Sequence, residues 1–168
     1  MNIHFKLTTS MHRQILDDLR RTHPFAAERA AFIGCKPSRS RTGILLLAHT
    51  YIPLWDEQYV NDQRFGCVFN SEAMRNAMQF ALQSDASMFH VHLHEHVGPA
   101  WFSRTDLRES QCFVPDFWNV KPQLPHGALV LSADAAAGLC WYPGQPIPAR
   151  ITQISSIGYP SRLLERLT

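Results

Sequence analysis

Ile3, Phe5 and Leu7 alternate with polar neighbours, the period of a half-buried strand. Past Ser10, a candidate N-cap, Met11, Ile15, Leu16 and Leu19 form one helical stripe that runs out at His23-Pro24. AERAAFIGC and TGILLLAHTYI follow as two strands joined by the polar loop KPSRSR, and QRFGCVF reads as a further short strand. Ser71 is placed to cap a second helix, whose stripe is Met74, Ala77, Met78, Ala81 and Leu82. In the next strand, ASMFHVHLH, alternation puts Met88, His90, His92 and His94 on one face and Phe89, Val91 and Leu93 on the other. Ser103 can cap a short helix, SRTDLRESQ. GALVLSA and AGLCWYP resemble a hairpin, RITQISSIG is a last strand, and a short helix is expected around Arg162 to Arg166. Strands and helices do not alternate strictly, which favours an α+β or three-layer arrangement over a doubly wound sheet.

A chain of 168 residues with 45% hydrophobic and 18% charged residues fits one domain, 1–168, with no repeat or linker to divide it. The net charge of +2 comes from scattered basic residues, apart from Lys36, Arg39 and Arg41 in the loop between two strands, so a nucleic-acid groove is not expected. No apolar run reaches the roughly 18 to 20 residues that a membrane span needs, and MNIHFKLTTSMHRQ lacks an apolar signal core. A cytoplasmic protein without membrane partners is expected. Cys35, Cys67, Cys112 and Cys140 form no CxxC pair and read as reduced, mostly buried thiols.

The nine histidines are unevenly spread, and HVHLHEH holds four of them at alternate positions, His90 to His96. Two imidazoles at i and i+2 on a strand point to one side and can share a metal ion. Downstream, FSRTD places Asp106 near a helix start, where its carboxylate can return to a metal at the strand's end. Two histidines and one aspartate leave a tetrahedral zinc one open position, the arrangement of a catalytic rather than a structural site. Trp101 and Phe102 lie beside it as core or as a substrate lip.

With these residues in order, the chain resembles the JAMM (JAB1/MPN+) zinc isopeptidases, whose motif is a glutamate leading into an early apolar strand, then HxH and SxxD. The matching residues are Glu28 in ERAAFIGC, His92-Leu93-His94, and Ser103-Arg104-Thr105-Asp106, with the long helix in its expected place before HxH. The resemblance implies that His92, His94 and Asp106 hold Zn2+, that Glu28 takes a proton from the bound water and passes it to the leaving amine, and that Ser103 steadies the oxyanion. It also implies an MPN/JAB (cytidine-deaminase-like) three-layer α-β-α sandwich with a mixed central sheet. Two features depart from the family: Glu95 follows the second histidine where proline is usual, and the gap from His94 to Ser103 is one residue longer. The spacing leaves open whether His96 or His90 replaces one of the chosen ligands; His92 and His94 are preferred because both fall at the end of the strand.

Overall, the chain looks like the stand-alone bacterial JAMM proteins, some of which are encoded beside ubiquitin-like, E1-like and E2-like proteins in antiphage conjugation operons. The expected substrate is a ubiquitin-like protein or its conjugates, cut after its C-terminus, with an extended tail pairing with a strand beside the site. Two other readings stand beside this one: a zinc amidase acting on sulfur-carrier or small-molecule adducts, and a catalytically inactive MPN scaffold.

Overall fold

The computed structural model describes residues 2–62, 64–159 and 161–164. Strand β1 (Asn2–Thr8) keeps the expected alternation, with Ile3, Phe5 and Leu7 buried. Helix α1 (Thr9–Leu19) starts two residues earlier than a Ser10 cap would set it, because the Thr8 hydroxyl accepts the Met11 amide at 3.1 Å. Strands β2 (Ala30–Arg39) and β3 (Gly43–Pro53) absorb most of the polar KPSRSR segment into a long hairpin, leaving only a tight turn held by Ser40. The QRFGCVF segment forms no named strand among the described residues; it makes a single bridge, Tyr59 to Phe69.

Helix α2 (Ser71–Ser84) is capped by Asn70, not Ser71: its side-chain oxygen accepts the Glu72 and Ala73 amides at 3.0 and 3.1 Å. Strand β4 (Ser87–Leu93) is buried throughout, and helix α3 (Arg104–Phe113) begins at the Ser103 cap. The expected hairpin is β5 (His126–Leu131) with β6 (Ala136–Trp141), followed by β7 (Ala149–Arg150) and β8 (Gln153–Ile157). Where a C-terminal helix was expected, Arg162 and Leu163 form the short strand β9; Glu165 and Arg166 lie outside the described residues.

All strands join one mixed sheet in the order β7-β6-β5-β4-β2-β3-β1-β8-β9. Its side chains alternate between two cores. Phe89, Val91 and Leu93 point with Ile33, Phe5 and Leu129 to a core that also takes Ile15 and Leu19 of α1, while Met88 and Phe32 face the Ala73, Ala77 and Ala81 stripe of α2. Alanines on that stripe let the helix sit close to the sheet.

The expected three-layer α-β-α sandwich is not what forms: the sheet curls strongly into a half-barrel with three short helices. The reason lies in how its ends are joined. β7 pairs with β6 and β8 pairs with β1, far apart in the sheet order, yet only Ile151 and Thr152 separate β7 from β8. The Ile151 amide donates to Gly138 on β6 and the Thr152 amide to Ile3 on β1, both at 2.9 Å, and the Ala136 amide donates to Leu164 at 3.1 Å. Such a link brings the two halves of the sheet together around α1, which a flat central layer would not allow. Among the described residues, no helix is long and apolar enough to cross a membrane.

Candidate metal centre

β4 positions the histidines. It runs antiparallel to β2 and parallel to β5, and the His94 amide extends the ladder past the strand's end by donating to Leu131 at 2.9 Å. Held in this register, His92 and His94 project from the same face, and their Nε2 atoms lie 3.2 Å apart. His92 is buried and His94 half-buried.

Asp106 comes to the pair through the capping of α3. The Ser103 hydroxyl accepts the Asp106 amide at 3.1 Å, and Asp106 Oδ2 accepts the Ser103 amide at 2.7 Å, the reciprocal bonds of a capping box. This turns the carboxylate back toward β4, with Oδ2 at 3.5 Å from Nε2 of both His92 and His94. The three ligand atoms thus form a triangle with sides of 3.2, 3.5 and 3.5 Å. A zinc ion with bonds of about 2.0–2.1 Å spaces its tetrahedral ligands by about 3.3 Å. The donor set and its geometry therefore fit a zinc-sized ion.

The protonation states also suit a metal. Burial pushes the Asp106 carboxyl up, but the His92 imidazole and the Ser103 donors outweigh it and hold the group below the usual carboxylate range. Burial, and then the neighbouring His92, lower His94 from its ordinary value. An anionic Asp106 and a neutral His94 are the forms a cation binds.

Glu28 lies beside the same histidines. Its carboxylate, His92 and His94 offer ligand atoms that all lie within 4.8 Å of one another, so the imidazole pair is shared by two carboxylates. The backbone there is fixed from both sides. Ala27 and Glu28 amides both donate to the Gly66 carbonyl, at 2.9 and 3.0 Å. The Tyr59 hydroxyl accepts the Ala30 amide at 3.0 Å and donates to the Ala30 carbonyl at 3.1 Å. Arg29 is 3% exposed and ties its guanidinium to the Arg21 and Thr22 carbonyls and the Asp56 carboxylate.

The two remaining histidines of the run lie outside the triangle. His90 is buried among Phe32, Phe69 and Phe113, and burial, reinforced by His92, pushes its pKa down to about 3. His96 stacks on Trp101 with ring centres 4.4 Å apart. Trp101 is 56% exposed and so is not core, whereas Phe102 packs against the small core cluster of Val114, Ala128 and Trp141. None of the four cysteines is disulfide-bonded; Cys35 and Cys140 are buried, Cys67 is half-buried and Cys112 is exposed.

Two clefts of about 330 Å3 each meet at Glu28. The first adjoins His92 and Asp106 and has aromatic walls in Phe65, Phe69 and Phe113, with His90 in its lining. The second is more polar and passes Arg20, Arg21, Arg29 and Glu95. Gly66 and Tyr59 have no motif around them in the sequence: each holds backbone groups of the 27–30 segment, Gly66 from 38 positions beyond Glu28. The segment QRFGCVF, read as a strand, instead supplies the first cleft's wall through residues 65–69 and the clamp on Glu28 through Gly66.

No model of a known protein family matches the chain, and no curated protein matches it either.

Proposed function

We propose that this chain is a zinc-dependent isopeptidase or peptidase of the JAMM type, which hydrolyses the amide bond after the C-terminus of a ubiquitin-like protein, in deconjugation or precursor processing. The observation that carries this reading is the triangle of His92, His94 and Asp106, with sides of 3.2, 3.5 and 3.5 Å. Two imidazoles and one carboxylate leave a fourth tetrahedral corner for water or substrate. Zinc held there would supply a Lewis acid and lower the pKa of a bound water towards about 7.

The chain's own residues do the rest. Glu28 lines both clefts beside the imidazole pair, where it can accept the proton of the attacking water and return it to the leaving amine. The Ser103 oxygen is engaged by the Asp106 amide, but its hydrogen is not committed to a partner among the described residues and can donate to the substrate carbonyl oxygen as charge develops there. Partners in this reading are the ubiquitin-like protein or its conjugates, with E1-like and E2-like proteins of the same pathway, in the cytoplasm.

A second reading has an observation of its own. The aromatic cleft beside the triangle is about 330 Å3, more room than a diglycine tail fills, and would suit a zinc amidase acting on a sulfur-carrier or small-molecule adduct. The test is to offer the zinc-loaded protein a ubiquitin-like domain fused head-to-tail to a peptide, the same domain linked to a lysine, and small acyl amides. Cleavage after the domain's C-terminus, lost on chelation and lowered at least about a hundredfold in Glu28→Ala, is the expected result. Cleavage of the small amides alone would move the assignment to the amidase. Full activity in Glu28→Ala would overturn the mechanism in either form.

A further inference from the structure

The loop that walls the aromatic cleft also touches the proposed proton carrier. Three observations tie Gly66 to Glu28. Its carbonyl takes both the Ala27 and Glu28 amides, at 2.9 and 3.0 Å, which fixes the backbone from which the carboxylate springs. Its α-carbon faces the carboxylate itself: a Cβ added at Gly66 would lie 3.3 Å from both Cδ and Oε2 of Glu28 and 3.6 Å from Cγ. And Gly66 lines the cleft together with Glu28, His92 and Asp106, so the contact lies at the site.

From this geometry we infer that Gly66 is a positioning residue for Glu28, its missing side chain letting the carboxylate lie where it faces the His92–His94 pair. Contacts of 3.3 Å are tighter than ordinary van der Waals separation, so any side chain at Gly66 shifts the carboxylate by a few tenths of an ångström or more. Glu28 has freedom to move that way, since cleft space adjoins it on two sides. A proton carrier works only within hydrogen-bond reach of the proton it takes, and small misplacements of a catalytic group cost large factors in rate. The same loop carries Phe65 and Phe69, so the cleft wall that receives substrate and the clamp that aims Glu28 are one piece of chain.

The inference rests on Glu28 being the proton acceptor, and the test separates the two ideas. The probe is acetohydroxamic acid, a chelator of zinc that must give up its acidic proton to a nearby base on binding. Its affinity is measured by calorimetry for the zinc-loaded wild type, Glu28→Ala, Gly66→Ala, Gly66→Ser and the Glu28→Ala/Gly66→Ala double variant. Hydrogen exchange of the Ala27 and Glu28 amides reports whether the loop stays folded.

Glu28→Ala should weaken binding about tenfold or more, Gly66→Ala and Gly66→Ser should weaken it comparably with both amides still protected, and the double variant should be no weaker than Glu28→Ala. Wild type binding no tighter than Glu28→Ala would overturn the role of Glu28. If Glu28→Ala weakens binding but both Gly66 variants match the wild type, Glu28 keeps its role and the positioning inference fails. It fails equally if the two losses add in the double variant, or if the amides lose protection, because the glycine would then be acting on the loop and not through Glu28.

Discussion

At the head of α3 a single hydroxyl group carries two duties. Ser103 Oγ accepts the Asp106 amide at 3.1 Å, which caps the helix and aims the Asp106 carboxylate, and in the proposed mechanism its hydrogen also serves the oxyanion. Ser103→Ala is expected to cost about 1 kcal/mol in unfolding free energy by denaturant titration, the usual worth of an N-cap. It should also lower kcat by about a hundredfold, the scale of losing one oxyanion donor. Ser103→Thr keeps the oxygen and the hydrogen and should restore most of both. At this scale the sequence was most informative: His92, His94 and Asp106 are picked out by residue type and spacing, Glu28 and Ser103 by the family resemblance alone, and the structure brings the histidines, Asp106 and Ser103 into direct or shared contact, with Glu28 alongside. What spacing could not decide was which histidines pair. Strand register decides it, since His94 still bonds to β5 while His90 is walled in by phenyl rings and His96 is stacked on Trp101.

Among the elements, β4 and β5 are tied by a buried imidazole that takes no part in the site. His126 is fully buried; its Nδ1 accepts the Met88 amide at 2.9 Å and its Nε2 donates to the Lys121 carbonyl at 3.2 Å, which defines a neutral ring. Burial, only partly offset by the Lys121 carbonyl, pushes its pKa from 6.5 down to about 4. The folded protein thus binds fewer protons than the unfolded chain between those values, so stability should fall as pH drops from 6.5 to about 4 and level off below. The loss from this one residue is about 3 kcal/mol at most. Urea unfolding of metal-free protein across this range measures it, and His126→Gln should flatten the slope. His126 carries no mark in the sequence beyond its position before GALVLSA; only the pairing of β5 with β4 reveals what it holds. The segment QRFGCVF was also misread, because Phe65, Cys67 and Phe69 line a cleft and only a single bridge, Phe69 to Tyr59, forms there among the described residues.

For the whole molecule, the connection through Ile151 and Thr152 converts a sheet into a half-barrel. Ile151 is fully buried and belongs to the core around α1. Ile151→Ala should cost about 2–5 kcal/mol by chemical denaturation, in one cooperative transition shared by both ends of the sheet. A separate early transition for the C-terminal strands would contradict that closure. Periodicity ran one strand, RITQISSIG, through this link where the structure has β7 and β8 on either side of it, and it could not show the strand order, because β8 pairs with β1 across almost the whole chain. The three-layer expectation failed for that reason, while the end of β4 and the start of α3, joined by a short loop, came out as read. The central claim, that this fold holds one catalytic zinc, is tested most directly by metal content. Elemental mass spectrometry of the untagged protein should find about one zinc per chain, lost in both His94→Ala and Asp106→Asn. A zinc-free wild type, or zinc retained in Asp106→Asn, would contradict it.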